Sequence, residues 1–167
     1  MLNEKTIELL LLDAKDVWVK NWNEIEKMFN RCCFSISYDT IIKKLNLFSS
    51  KEEVYSIEEI KKSFNLFKDA EYLFERMIDI LCEENVLLKE ANGYKLHKSI
   101  VDIENPHELL VMAARYFPEE AASFQWLSRA AGGIYDFVRG KAYGEEVMFP
   151  FNDFSLVEDV YYSSKIY

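Results

Sequence analysis

The first hydrophobic pattern along the chain repeats every three and four residues. Ile7, Leu10, Leu11, Val17, Trp18, Trp22, Ile25 and Phe29 follow it from Asn3 to about Arg31, which predicts one long helix or two joined. Trp18 and Trp22 fall on one face, as a core stripe or as a docking face for another domain. A second helix is predicted from Asp39 to Leu47, with Asp39 at its N-cap and Ile41, Ile42, Leu45 and Phe48 buried. Ser49–Ser50 breaks it. Ser56 caps a third helix, Ile57–Phe67, and Glu59 completes a capping box. Asp69 caps a fourth, Ala70 to about Glu84, with Leu73, Met77, Ile80 and Leu81 as its apolar stripe.

After Asn85 the period shortens. Val86–Lys89 and Tyr94–Leu96 read as two strands joined by Asn92–Gly93, a pair suited to a tight hairpin turn. Helices followed by a long helix and a hairpin form the winged helix-turn-helix order. Beyond it, Asn105 at N-cap and Pro106 at the first position start a helix over His107–Phe117. Pro118 opens a further helical run to Arg139, in which Gly132–Gly133 mark a kink or a close helix contact. Gly140 ends it. Val147–Phe151 is expected to be extended, because Pro150 constrains Phe149, and a last helix runs from Phe154 to about Ser163. The expected fold class is mainly α. A winged-helix-like helical domain with one short β-hairpin occupies 1–103, and a C-terminal helical segment, 104–167, packs on it.

Composition supports a packed protein. Half of the 167 residues are hydrophobic and 15% are aromatic, while Gly (5) and Pro (3) are too few for a turn-rich sandwich. The formal charge of −9 argues against nucleic-acid binding, which needs Lys and Arg on phosphates. Lys43–Lys44 is the densest basic stretch, and Lys61–Lys62 beside Glu58–Glu59 reads as ordinary pairing along a helix. Ile7–Leu12 is far too short to span a bilayer. Cys32, Cys33 and Cys82 contain no CxxC pair, and their odd number suits a reducing cytoplasm.

Candidate chemistry is sparse. Gly93, Gly132, Gly133, Gly140 and Gly144 build no phosphate or dinucleotide cradle. His97 and His107 lack positioned partners, and there is no HExxH. Cys82 lies near Glu83 and Glu84, which raise a thiol's pKa, so all three cysteines read as small apolar fillers. The carboxylate pairs Glu52–Glu53, Glu58–Glu59, Glu83–Glu84, Glu119–Glu120 and Glu145–Glu146 read as helix-start and loop acids that serve the dipole and solubility. No catalytic, cofactor-binding or metal-ligating residue is assigned. The C-terminal rings stand out instead: Phe149, Phe151, Phe154, Tyr161, Tyr162 and Tyr167. Apolar surface gathered at a chain end packs on something.

The stretch Ser128–Tyr167, SRAAGGIYDFVRGKAYGEEVMFPFNDFSLVEDVYYSSKIY, resembles the segment that precedes the catalytic core in methyltransferase domains of polyketide synthases. That segment runs helix, L-x-G, an acidic or small residue, hydrophobic-Phe-Pro, then a helix with hydrophobic-Tyr. Gly140, Phe149–Pro150 and Val160–Tyr161 hold those places. The winged-helix-like stretch before it resembles the family's N-terminal lid. The resemblance implies a non-catalytic lid or adaptor that covers the active-site entrance and helps admit a substrate bound to an acyl carrier protein. The family's S-adenosylmethionine-binding glycine motif and catalytic residues lie after the lid, so the cofactor is implied for the core alone. The implied partners are a methyltransferase core or neighbouring synthase domain and an acyl carrier protein, with no nucleic acid and no membrane. Phe149, Phe151, Phe154, Tyr161 and Tyr162 are the candidate core- or substrate-facing interface. Two other readings are a winged-helix transcriptional regulator, which needs a basic recognition helix, and a protein-docking scaffold.

Overall fold

The computed structural model describes the backbone of residues 4–98 and 102–163 and the side chains of 21–98 and 102–162. The Trp18 half of the tryptophan stripe, and Tyr167, therefore lie outside the described residues. The protein is mainly helical with a small antiparallel sheet. It divides into two compact units, Met1–Arg31 and Cys32–Tyr167. The first is helical from Glu4 onward and carries an exposed Glu24–Lys27 ion pair at 3.4 Å.

Helix α1 spans Glu4–Tyr38, so it reaches Asp39, the expected start of a second helix, without a break. Tyr38 has helical angles, and Asp39 caps nothing. The chain instead winds on as a π-helical turn over Asp39–Lys44. Buried Ser37 donates its hydroxyl to the Cys33 carbonyl at 2.8 Å just upstream. Such back-bonding bends helices. Asn46 and Phe48, both at positive φ, then turn the chain out of the helix.

Strand β1, Val54–Tyr55, has no counterpart in the sequence pattern. Helix α2 spans Ile57–Ser63, and its predicted capping box is present. Ser56 Oγ accepts from the Glu59 amide at 3.1 Å, and Glu59 Oε2 accepts from the Ser56 amide at 3.3 Å. The helix stops four residues short of Phe67, with Asn65 at φ 46. A 3-10 turn, Lys68–Ala70, leads into α3, Glu71–Glu83, so Asp69 does not cap it. Phe74, Met77, Ile78 and Leu81 form the buried stripe of α3. Leu73 and Ile80 lie beside it, half-buried.

Strands β2 (Leu87–Glu90) and β3 (Gly93–Leu96) make the expected hairpin. Strand β1 adds to its other side, giving the order β1-β3-β2, with Tyr55 opposite Tyr94 and Leu87 opposite Leu96. Gly93 is required less by the turn than by this third strand. A Cβ there would lie 2.7 Å from the Tyr55 carbonyl carbon and 2.9 Å from the Ser56 nitrogen.

Helix α4, Pro106–Tyr116, starts as its sequence dictates. Asn105 Oδ1 accepts from the amides of His107 (2.9 Å) and Glu108 (3.3 Å). A 3-10 turn at Pro118–Glu120 feeds α5, Ala121–Val138, which runs unbroken through Gly132–Gly133. Gly140, at φ 64, ends it against the Phe67 ring, 3.5 Å from its would-be Cβ. Phe67 also packs edge-on to Phe137 and Tyr143, and its amide donates to the Val138 carbonyl at 3.1 Å. Val147–Phe151 is not extended. Helix α6, Gly144–Met148, forms first because Gly133 lets Val147 seat against α5. A 3-10 turn follows at Pro150–Asn152 and then α7, Ser155–Ser163. Phe48, Phe74 and Phe124 are the largest fully buried side chains among the described residues.

Candidate functional site

The expected aromatic interface separates into a stack and a set of exposed rings. Phe149 and Phe154 flank the 3-10 turn and face each other with ring centroids 4.8 Å apart. Between them Phe151 is wholly exposed, at 103% of its reference area. It sits at φ 59 and Asn152 at φ 58. A phenylalanine in the left-handed region costs about 1–2 kcal/mol, because its Cβ crowds the following carbonyl. Asp153 supports the turn from the other end, accepting from the Ser155 amide at 3.0 Å. The Ser155 hydrogen bonds, with Arg129 nearby, hold the Asp153 carboxyl below its ordinary range. On α7, Val160 is buried and anchors the helix, while Tyr161 and Tyr162 stand 63% and 90% exposed. Arg129 of α5 donates to the Met148 carbonyl at 3.2 Å, so α6 and the turn are tied to α5. Trp126, on the same face one turn earlier, has its indole N–H buried with no hydrogen-bond partner among the described residues.

A cleft of about 290 Å³ opens elsewhere, between the π-helical turn, the start of α4 and the middle of α5. Ile36, Leu110 and Ala131 contribute apolar wall. Asp39 and Lys44 contribute a 3.0 Å ion pair. A Cβ built on Gly132, which lines this cleft, meets nothing within 4 Å.

Among the described residues, electrostatics build neither a nucleophile nor a basic reading head. Burial pushes the Cys33 thiol up, against a smaller opposing pull from Arg76. Burial raises the Cys82 thiol too, with Asp79 adding to it. Reactive thiols need the opposite shift. Lys61 does not pair along its own helix as expected. It bridges to Glu71 (2.9 Å) and Glu75 (2.6 Å) of α3, which hold its ammonium above the usual lysine range. Arg76 is held by Glu83, at 2.6 Å. Helix α3 therefore presents mostly carboxylates, with its one arginine already engaged. His97 and His107 are exposed. Among the described residues, no group of His, Cys, Asp and Glu could hold a metal ion, and no helix is long and apolar enough to cross a membrane.

One acid departs from its sequence reading. Glu120, grouped with the solvated pairs, is 1% exposed and accepts from Ser123 Oγ at 3.1 Å. The signal was present in SxxE-like reverse spacing, with Ser123 three residues on, but burial itself depends on distant packing.

No family model and no curated protein matches the sequence. Solved structures do. A carbon methyltransferase, CurJ, superposes with a TM-score of 0.76 at 19% identity, over 85% of this chain and 37% of that one. The DszA carbon methyltransferase superposes with a TM-score of 0.72 at 15% identity, over 88% of this chain and 37% of that one. The chain spans little more than a third of the length of either, and what it shares with them at these identities is the fold of one region of a carbon methyltransferase.

Proposed function

We propose that this chain is the non-catalytic lid or adaptor region of a carbon methyltransferase of the polyketide-synthase type. It docks on a catalytic core through Phe149, Phe151, Phe154, Tyr161 and Tyr162, covers the active-site entrance and helps admit an acyl substrate carried on an acyl carrier protein. The core, outside these residues, binds S-adenosylmethionine and performs the transfer. The order β1-α2-α3-β2-β3 supports a winged-helix-like unit within 1–103 and the remaining helices as the lid segment. The observation that carries the reading is Phe151, a large apolar ring held in a strained backbone and wholly in solvent. Folding alone gains nothing from that arrangement. A ring seated in a partner's pocket repays both costs, as anchor residues do at interfaces. A covering element also excludes water from the transfer site. The carboxylate-rich face of α3 speaks against the DNA-binding alternative, since it repels phosphates.

The test is reconstitution. A carbon methyltransferase core stripped of its matching region is mixed with this chain, and association and methyl transfer to a carrier-bound substrate are measured. Saturable association with increased transfer is expected. Absence of both, or tight stoichiometric binding of S-adenosylmethionine by this chain alone in calorimetry, overturns the reading.

A further inference from the structure

We propose that the cleft between the π-helical turn and helices α4 and α5 binds a small zwitterion, an α-amino acid with a short branched aliphatic side chain. The site is separate from the aromatic face and does not depend on the lid reading. Its capacity, about 290 Å³, equals roughly ten water volumes of ~30 Å³, which admits a molecule the size of valine. Its wall is divided. Ile36, Leu110 and Ala131 offer contact to a branched alkyl group, while Asp39 and Lys44 face each other as an ion pair at 3.0 Å. The start of α4 offers no anion site of its own, because Asn105 already occupies the amides of His107 and Glu108. An anion would meet Lys44, with His107 and the hydroxyls of Thr40 and Ser128 also on the lining, and would then confront Asp39. A cation would reach Asp39 and confront Lys44. Either leaves one charge of the pair opposed or unpaired. A zwitterion inserted into the pair gives its carboxylate to Lys44 and its ammonium to Asp39, so no charge is stranded. The Lys44 side chain is 45% exposed and can swing to admit it. Gly132 leaves space on α5 where any side chain would intrude.

The experiment follows amide shifts of the whole chain by NMR during titration with L-valine, with isovalerate and isobutylamine as single-charge controls. Saturable shifts at Gly132 and Ser128 are expected with valine. Each control is expected to bind at least tenfold more weakly. Gly132→Val projects a branched side chain into the cleft and is expected to abolish the shifts while leaving the melting temperature unchanged or higher. Lys44→Met is expected to weaken valine at least tenfold. Absence of saturable shifts overturns the proposal. So does a control that binds as well as valine, or a Gly132→Val chain that still binds.

Discussion

Asp39 and Lys44 are five residues apart and make a 3.0 Å ion pair. Five residues of α-helix turn through about 500°, which leaves the two side chains ~140° apart. The π-helical winding narrows that separation. Its signature is the Leu45 amide donating to the Thr40 carbonyl, five residues back, at 2.9 Å. The turn is held in place by packing more than by this pair. Ile41 within it is 0% exposed, whereas the Lys44 side chain is nearly half in solvent. Lys44→Gln is therefore expected to cost less than about 1 kcal/mol, and Ile41→Ala about 2–5 kcal/mol. Chemical denaturation of the two variants measures the order.

The neighbouring glycines of α5 respond in opposite directions to the same substitution. Gly132 faces open space, so Gly132→Ala gains helix propensity without a clash and stabilises by about 0.5–1 kcal/mol. At Gly133 a new Cβ would lie 2.6 Å from Val147 Cγ2 and 3.0 Å from its Cβ. Valine is stiff at χ1 and cannot fold away. Gly133→Ala must push α6 off α5, at about 1–3 kcal/mol. A pair of thermal melts separates the two outcomes.

What the sequence discloses is what a side chain does to its own backbone. The Ser56–Glu59 box, the Asn105–Pro106 start and the stop at Gly140 are all present because their partners lie within a few residues. Elements settled by remote packing are not legible. Strand β1 is two residues long and exists by pairing with β3 across some forty residues. Asp39 looks like a cap, yet Ile36, Tyr38 and Ile41 are all buried and keep the helix going past it. Val147–Phe151 reads as extended from Pro150 alone, but Val147 belongs to a helix seated on Gly133. At the candidate site the sequence names five rings but not how they divide: Phe149 and Phe154 stack on each other, and the positive φ falls on Phe151.

Acid acts through the paired carboxylates. Arg76 donates to both oxygens of Glu83 and holds its pKa below the ordinary 4.5. A depressed folded-state pKa contributes stability that is present above the unfolded value and lost as pH falls through the folded one. The loss from this pair therefore lies below about pH 4.5. Arg76→Gln is expected to return the Glu83 midpoint to its ordinary value in an NMR titration and to flatten that part of the acid unfolding curve. The same change lets the Cys33 thiol rise further, because Arg76 is what pulls it down.

Phe151 allows stability and docking to be separated in one residue. Its ring makes no buried contact, so truncating it removes little from the folded chain. Its φ of 59 is one that asparagine adopts more readily than phenylalanine. Phe151→Asn is expected to stabilise the isolated chain by up to about 1 kcal/mol. If the ring anchors in a methyltransferase core, the same variant loses at least ~2 kcal/mol of association, roughly a thirtyfold weaker Kd. Phe151→Leu keeps an apolar group and the strain, and should fall between the two in affinity without gaining stability. Thermal melts and a titration against the core read both quantities. A Phe151→Asn chain that gains stability and binds as tightly as before would show that the strained ring faces something other than the core.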